Sequence, residues 1–366
     1  MFWKNKKVLV TGGAGFIGSH VAEYYVKRDN EVVCFDNLSR AKLLNKEIDP
    51  LYNWKYLENH YPNIQLIKGD IRDFQKLKEA ANGADVIVHC AAQTAVTTSV
   101  QDPRTDFNIN ALGTFNVLET ARQSSKSPTV IYCSTNKVYG ANVNKIKIIE
   151  RKLRYEFQEI FEKGIPETLS TNLCEHTPYG CSKLTGELYM QDYAHFHDLK
   201  TGIFRMSCVY GPRQLGVEDQ GWVAWFTIAT ILGKPITIYG DGKQVRDVLF
   251  VTDLINAFDS FVRSELSYGV FNVGGGPQST LSVLELLDIL EGLTGKRSKI
   301  TFTHWRSGDQ RVYISDVTNA KEKLDWTPTV CPKEGLREVV KWVEENKSIF
   351  LEKKSSNENL GDSINS

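Results

Sequence analysis

Short apolar runs alternate with amphipathic stretches from residue 7 to residue 205. Lys7–Thr11 (KVLVT) reads as a strand buried on both faces, and Gly18–Arg28 as a helix with Val21, Tyr24 and Tyr25 at helical spacing. Glu31–Asp36, Ile64–Gly69, Asp85–Cys90, Pro128–Ser134 and Lys200–Arg205 read as further strands. Asp73–Ala81, Arg104–Arg122 and Tyr179–Phe196 read as the helices between them. Strands separated by helical crossovers predict an α/β fold with a doubly wound parallel sheet. Ala141–Glu175 interrupts the pattern as an irregular, mixed-charge insertion. Beyond Gly211 the spacing loosens, which predicts a smaller C-terminal α/β lobe over 213–350, with a strand at Ile236–Tyr239 and helices at Leu281–Leu293 and Lys333–Asn346. Residues 1–212 then form the main unit, with 247–273 returning to it, and the polar segment 351–366 is expected to be a disordered tail.

Composition narrows the function classes. The 366 residues are 41% hydrophobic, enough for one large α/β body or two joined lobes. Lys+Arg and Asp+Glu both number 44, so no global field draws the chain to nucleic acid or to an anionic membrane. The apolar run near the N-terminus, Val8–Val10, is too short for a signal peptide or a membrane span. Seven cysteines without a C-x-x-C pair predict free thiols in a reducing cytosol. His195 and His197 stand two apart, which is the wrong spacing for a zinc pair on one helix face, and no metal site is expected.

The first strand runs into Thr11-Gly12-Gly13-Ala14-Gly15-Phe16-Ile17-Gly18. Gly13-x-Gly15-x-x-Gly18, between a strand and a helix, satisfies the dinucleotide fingerprint: glycines allow a tight turn and let backbone N–H groups approach a pyrophosphate at the positive end of the helix. Asp36 ends the second strand, where a carboxylate accepts from adenosine ribose hydroxyls and repels a 2′-phosphate. NAD is therefore expected rather than NADP, although the Arg40 guanidinium nearby could tolerate the latter.

Tyr179 and Lys183 stand four apart and so share one helix face. A phenol near its usual pKa of about 10 is a poor base at neutral pH. A neighbouring ammonium and an oxidised nicotinamide would favour the phenolate. Ser134-Thr135-Asn136-Lys137-Val138-Tyr139-Gly140 lies at the end of the fifth strand, at the edge where such sheets bind ligands, so Thr135 can complete a hydroxyl–tyrosine–lysine triad.

With these pieces in place, TGGAGFIG, DNLSR, GDIRD, HCAAQ, NALGT, STNKVYG, YGCSK and GKQVRDVLFVTDL together resemble the extended short-chain dehydrogenase/reductases, the NAD-dependent epimerase/dehydratase family, over roughly residues 6–345. The resemblance implies that Asp70 and Ile71 flank the adenine, that Ala91, Ala92 and Gln93 line the cofactor path, and that Asn110 supports the active-site end of its helix. Gly12, Phe16, Ile17, Asn37, Ser39 and Cys133 complete the expected cofactor set. It also implies a homodimer or homotetramer paired through Arg104–Arg122 and Tyr179–Phe196.

The implied substrate is a nucleotide-linked sugar. Guanidinium groups pair bidentately with phosphate oxygens, so Arg246 and Arg306 are the expected pyrophosphate clamps, with Arg213 and Arg311 as weaker candidates. Asn136, Lys137, Ser207, Gln220 and Tyr239, the last as a stacking platform, complete the expected substrate set beside Thr135. Sugar-nucleotide dehydratases of the family carry an acid directly after the threonine; here that residue is Asn136, and an amide cannot protonate a leaving hydroxyl. Reversible hydride transfer remains, as in the epimerases. STNKVYG, LRYEF, EHTPYGCSK, FRMSCVYGPRQ, VEDQGWVAWF and GKQVRDV most resemble the members that invert C2 of a CDP-linked dideoxy sugar. The competing readings are a UDP-hexose(-uronate) 4-epimerase and a non-catalytic NAD(H)-binding regulator.

Overall fold

The computed structural model describes residues 4–44, 49–158, 161–306 and 308–351; most of the tail expected at 351–366 lies outside them. In chain order the first part comprises β1 (Lys7–Thr11), α1 (Phe16–Val26), β2 (Glu31–Asp36), α2 (Arg40–Leu44), α3 (Tyr52–His60), β3 (Gln65–Lys68), α4 (Phe74–Ala80) and β4 (Val86–His89). Then follow α5 (Val96–Gln101), α6 (Pro103–Phe107), α7 (Gly113–Arg122), β5 (Thr129–Thr135), β6 (Ile148–Glu150), β7 (Tyr155–Phe157), α8 (Pro178–Phe196), β8 (Thr201–Met206) and β9 (Cys208–Tyr210). The remainder comprises α9 (Trp222–Leu232), β10 (Ile236–Tyr239), β11 (Val245–Phe250), α10 (Val251–Arg263), β12 (Tyr268–Val273), β13 (Thr280–Ser282), α11 (Val283–Thr294), β14 (Ile300–Thr303), β15 (Val312–Tyr313), α12 (Thr318–Leu324) and α13 (Pro332–Glu345).

Seven strands form one sheet in the order β12-β8-β5-β4-β1-β2-β3, every neighbouring pair parallel. The strand order reverses on either side of β1, so a crevice opens at the carboxyl ends of β1 and β4. Both faces of the sheet are covered, which is why its strands are apolar without alternation. Val8, Val10, Val32 and Cys34 pack with α1 and with Leu254 and Phe258 of α10 on one face. Leu9, Val33, Ile87 and Val130 pack with α4, α7 and α8 on the other. Fully burying each such aliphatic side chain contributes about 1.5–3 kcal/mol.

From the stretch 247–273, Leu249 and residues of α10 and β12 pack into this body. Val245–Phe250 pairs with β13, β15 and β9 in a second, smaller sheet, where its hydrogen bonds are met on both sides. Trp326, just past α12, also joins the first core. The smaller lobe buries Val223 and Phe226 of α9, Leu286 and Leu290 of α11, and Leu336 and Val339 of α13.

Three other elements differ from expectation for local reasons. The long helix expected at Arg104–Arg122 carries a π-helical turn at Asn108–Leu112. The helix expected from Leu281 starts at Val283, because Ser282 and Glu285 form a capping box and Thr280–Ser282 pairs as a strand. In the insertion, the described residues form 3₁₀ turns up to Lys145 and a β6–β7 hairpin.

Candidate active site

The glycine loop is held by backbone geometry that side chains would break. Gly12 has φ +73°, and a Cβ there would lie 2.6 Å from the Ala91 nitrogen. A Cβ on Gly18 would collide with the Gly12 carbonyl. The Gly15 N–H donates to the Gly12 carbonyl at 2.9 Å, and α1 then starts with no side-chain cap and no acidic residue in its first turn. Its first N–H groups are thus left for an anion. Asp36 is anchored beside the loop, accepting from the Ala14 N–H at 3.0 Å and the Leu38 N–H at 2.7 Å. Burial pushes its carboxyl up, against these two bonds. Asp70 accepts from Asn37 Nδ2 at 2.7 Å and from both ends of the Arg72 fork, which holds its carboxyl down at about 2. The Ser39 N–H donates to Asn37 Oδ1.

Gly12, Gly15, Phe16, Ile17, Gly18, Asp36, Asn37, Ser39, Arg40, Asp70, Ile71, Ala91, Ala92 and Gln93 all line one cleft. A loop cradle that excludes Cβ atoms and a fixed carboxylate at the second strand suit a dinucleotide with free ribose hydroxyls. Arg40 does not face that ribose as a phosphate partner. Its Nη2 donates to the Leu215 carbonyl at 2.8 Å and to Gln220 Oε1 at 2.6 Å, across the mouth of the cleft.

Thr135 closes β5, next to β4 in the sheet, and α8 begins beside it. Thr177 caps α8 by accepting from the Gly180 N–H, Pro178 occupies its first turn, and Ser99 Oγ accepts from the Tyr179 N–H. Thr135 Oγ1 accepts from the Lys137 N–H at 3.2 Å and hydrogen-bonds the Tyr179 phenol. Burial pushes Tyr179 up to about 12; the Thr135 bond pulls it down, and Asp106 and Cys133 push it up. Lys183 does not reverse this, contrary to expectation: its ammonium sits 4.2 Å above the Tyr132 ring, and burial lowers it to about 8. The protein alone therefore keeps Tyr179 as a neutral phenol. A positive nicotinamide beside it would act in the opposite direction. Cys133 is buried with its Sγ 3.6 Å from Cys90 Sγ, and Asn110 joins a buried polar network behind α8.

A second wall comes from the smaller lobe. Arg246 on β11 pairs with Asp309 at 2.8 Å, and Arg306 pairs with Asp219 at 3.0 Å while stacking on Tyr239 at 3.8 Å. Arg311 lies 5.4 Å from the ring centres of both Tyr155 and Trp305. Lys137 is half-buried near Asp309 and Arg246; desolvation lowers its pKa, Asp309 opposes that, and Arg246 reinforces it. Asn136 is buried beside Thr135, which donates to its Oδ1 at 3.4 Å. Three expected substrate residues are engaged by other side chains, two of them, Arg213 and Gln220, along the wall of the cofactor cleft. Arg213 is buried in an ion pair with Glu23 and stacks on Tyr56. Gln220 is held by Arg40, and Ser207 donates to the Asp247 carboxylate and carbonyl.

The profile of the NAD dependent epimerase/dehydratase family matches residues 8–274. The chain belongs to that family. A CDP-paratose 2-epimerase from Salmonella typhi is 38% identical over 345 residues, covering 92% of this chain and 98% of that protein. A UDP-glucose 4-epimerase from Thermotoga maritima, solved with UDP-glucose, superposes with a TM-score of 0.76 at 31% identity, covering 93% of this chain and 99% of that one. A UDP-glucuronic acid 4-epimerase from Bacillus cereus, solved with UDP-glucuronic acid and NAD, gives 0.75 at 27% identity, with 93% and 99% covered. The cofactor of this epimerase-family chain is NAD, and its relatives are nucleotide-sugar epimerases.

Sequence reasoning passed over several residues that build this family's site here. Asp106, Ser182 and Ser99 position α8, and Asp309 and Asp219 hold the arginines. Asp106 stands four residues before Asn110, a helical spacing that could have marked it. Asp219 and Asp309 meet their arginines over 87 and 63 positions of chain, which no local pattern reveals. Among the described residues no helix is long and apolar enough to cross a membrane, and no cluster of three metal-ligating side chains occurs.

Proposed function

We propose that the chain is a CDP-paratose 2-epimerase, interconverting CDP-paratose and CDP-tyvelose by transient oxidation at sugar C2. What supports this reading is Thr135 at the end of β5 facing Tyr179 on α8, with Lys183 one helical turn further on, in a chain 38% identical to such an enzyme over 92% of its length. Asn136 directly after Thr135 favours it further, since an amide does not offer the acid that elimination needs there.

The chemistry follows from the substrate. Paratose is a 3,6-dideoxy sugar, so its C2 proton is not adjacent to any carbonyl. A ketone at C4 would acidify C3 and C5 but not C2. Inversion at C2 therefore requires oxidation at C2 itself. Bound NAD supplies the hydride acceptor and returns the same hydride. Tyr179 takes the C2 hydroxyl proton as the C2–H pair leaves, and a C2 ketone forms. Thr135 holds the sugar oxygen against the phenol, and the positive nicotinamide of bound NAD would lower the cost of the phenolate. When the other face of the planar ketone is presented, hydride returns to C2 and Tyr179 gives its proton back. Arg246 and Arg306 hold the pyrophosphate, whose oxygens share the guanidinium groups with Asp309 and Asp219.

The exposed Phe107, Leu112, Leu188, Tyr189 and Phe196 on α6, the π turn and α8 support pairing of two copies through these helices. A UDP-hexose 4-epimerase is the second reading, favoured by the 31% identical structural neighbour.

A substrate deuterated at C2 tests the proposal. CDP-paratose should be converted with the label retained at C2 within each molecule. Washout into water would sink the mechanism. Turnover of UDP-glucose with CDP-paratose untouched would sink the substrate and leave the 4-epimerase.

A further inference from the structure

Asp106 is only 1% exposed, yet no ion pair to it occurs among the described residues. A buried carboxylate of this kind costs several kcal/mol unless its oxygens are met. Three donors meet them. Ser182 Oγ on α8 donates to Oδ2 at 2.5 Å, and Gln93 Nε2 and Asn110 Nδ2 donate to Oδ1 at 2.8 and 3.1 Å. The π turn at Asn108–Leu112 brings Asn110 onto the loop after β4, where its side chain accepts from the Gln93 N–H at 2.9 Å and donates to the Gln93 carbonyl at 3.0 Å. One carboxylate thus ties the catalytic helix, the π turn and a loop of the cofactor cleft together.

Packing alone does not call for a charge here. An asparagine would fill the same space and still accept a hydrogen bond, at a smaller desolvation cost. What the carboxylate adds is a negative charge facing the catalytic pair. Tyr179 is faced by Thr135 and Cys133 from β5 and by Asp106 from α6. Lys183 is faced by His89 on β4, Cys90 after it, Tyr132 and Cys133 on β5, Glu187 on α8 and Asp106. Arg205 already pairs with Glu187 in three buried hydrogen bonds. Asp106 is thus the carboxylate facing Lys183 that has no guanidinium on it.

We propose that Asp106 is a positioning residue for the redox step, fixing α8 against the Gln93 loop through Ser182 and supplying the counter-charge to Lys183. This rests on the reading of Tyr179 as the base. In the folded protein Asp106 raises both Tyr179 and Lys183, so its removal lowers both. The phenolate then forms at lower pH and the ammonium is lost at lower pH. The whole activity profile moves toward acid.

The test is a titration of Tyr179 in the NAD-loaded protein, read as near-ultraviolet phenolate absorbance with the Tyr179→Phe protein subtracted at each pH. Asp106→Asn, against its own Tyr179→Phe double variant, should move the midpoint down by at least about half a pH unit. The same midpoint as wild type would overturn the charge role. Ser182→Ala keeps the charge and frees the helix: kcat should fall with the midpoint unmoved, and an unchanged kcat would overturn the positioning role. Should Asp106→Asn fail to fold, Asp106→Glu keeps the charge one methylene away. It should retain the wild-type midpoint with a lower kcat, and wild-type kcat would refute the placement. The titration needs no turnover, so it remains readable if CDP-paratose proves not to be the substrate.

Discussion

Arg40 and Gln220 meet across the cofactor cleft, with the guanidinium Nη2 2.6 Å from the amide Oε1. The same nitrogen holds the Leu215 carbonyl, so a helix of the large body is latched to the segment leading into the smaller lobe. Both residues line the cleft that takes NAD. Arg40→Ala and Gln220→Ala should each loosen NAD about tenfold, roughly 1.4 kcal/mol. Neither should gain NADP, because Asp36 still repels a 2′-phosphate. NAD content after gel filtration and titration of the apoprotein with both cofactors give the answer. Retention equal to wild type would mean that the latch does not hold the cofactor.

Thr135 is the group that draws the Tyr179 phenol downward against its burial. Thr135→Val keeps the volume and removes the hydroxyl. The phenol should then titrate higher, the acid limb of the activity profile should shift to higher pH, and kcat should fall roughly 10²-fold. Thr135→Ser should recover most of the rate. A valine variant with wild-type kcat would remove Thr135 from the chemistry.

The parts of this architecture that were legible in sequence are those written locally. The glycine loop before α1, Asp36 at the end of β2, and Thr177-Pro178 opening α8 each carry their reason within a few residues. Six strands of the seven-stranded sheet were readable because strands in such a sheet are largely apolar, whereas β12 was not read as a strand. The short strands β9, β13 and β15 were not, because only their pairing with β11 makes them strands. Arg213 shows the same limit at the site. A guanidinium near a phosphate-binding region suggests a phosphate partner, but its partner is Glu23, 190 positions away on α1. Lys183 shows a subtler one: helical spacing placed it on the face of Tyr179, whereas the Tyr132 ring from β5 determines where its ammonium rests.

Arg205 and Glu187 form a buried pair, with Nη2 2.7 Å from Oε2, and Ser134 donates to the same carboxylate at 2.5 Å. The cluster joins α8 to the β5 end that carries Thr135. Arg205→Met leaves Glu187 buried without its counter-charge and should cost about 3–5 kcal/mol. Glu187→Gln in the same chain should return part of that loss, because no charge then stays buried. Urea unfolding of the single and double variants measures both. A single variant as stable as wild type would show that the pair contributes little.

His89 bridges Thr11 and Thr114 at 2.7 and 3.0 Å in the core of the sheet, and burial, reinforced by the charge of Lys183, lowers its pKa to about 3 from 6.5. The unfolded chain therefore binds one more proton than the folded one between those values. Folding stability should fall as pH drops below about 6.5, by about 1.4 kcal/mol per pH unit for this residue, until the folded state itself protonates near pH 3. His20, partly buried and lowered to about 3 by desolvation and the Arg213 charge, adds a slope of the same sign. His89→Gln removes one of the two titrating rings. Its stability at pH 7 should drop through the altered bonds to Thr11 and Thr114, while the loss between pH 6.5 and 5 becomes shallower than in wild type. Urea unfolding across that interval decides it: parallel curves for the two proteins would mean that His89 is not the group whose protonation opens the fold to acid.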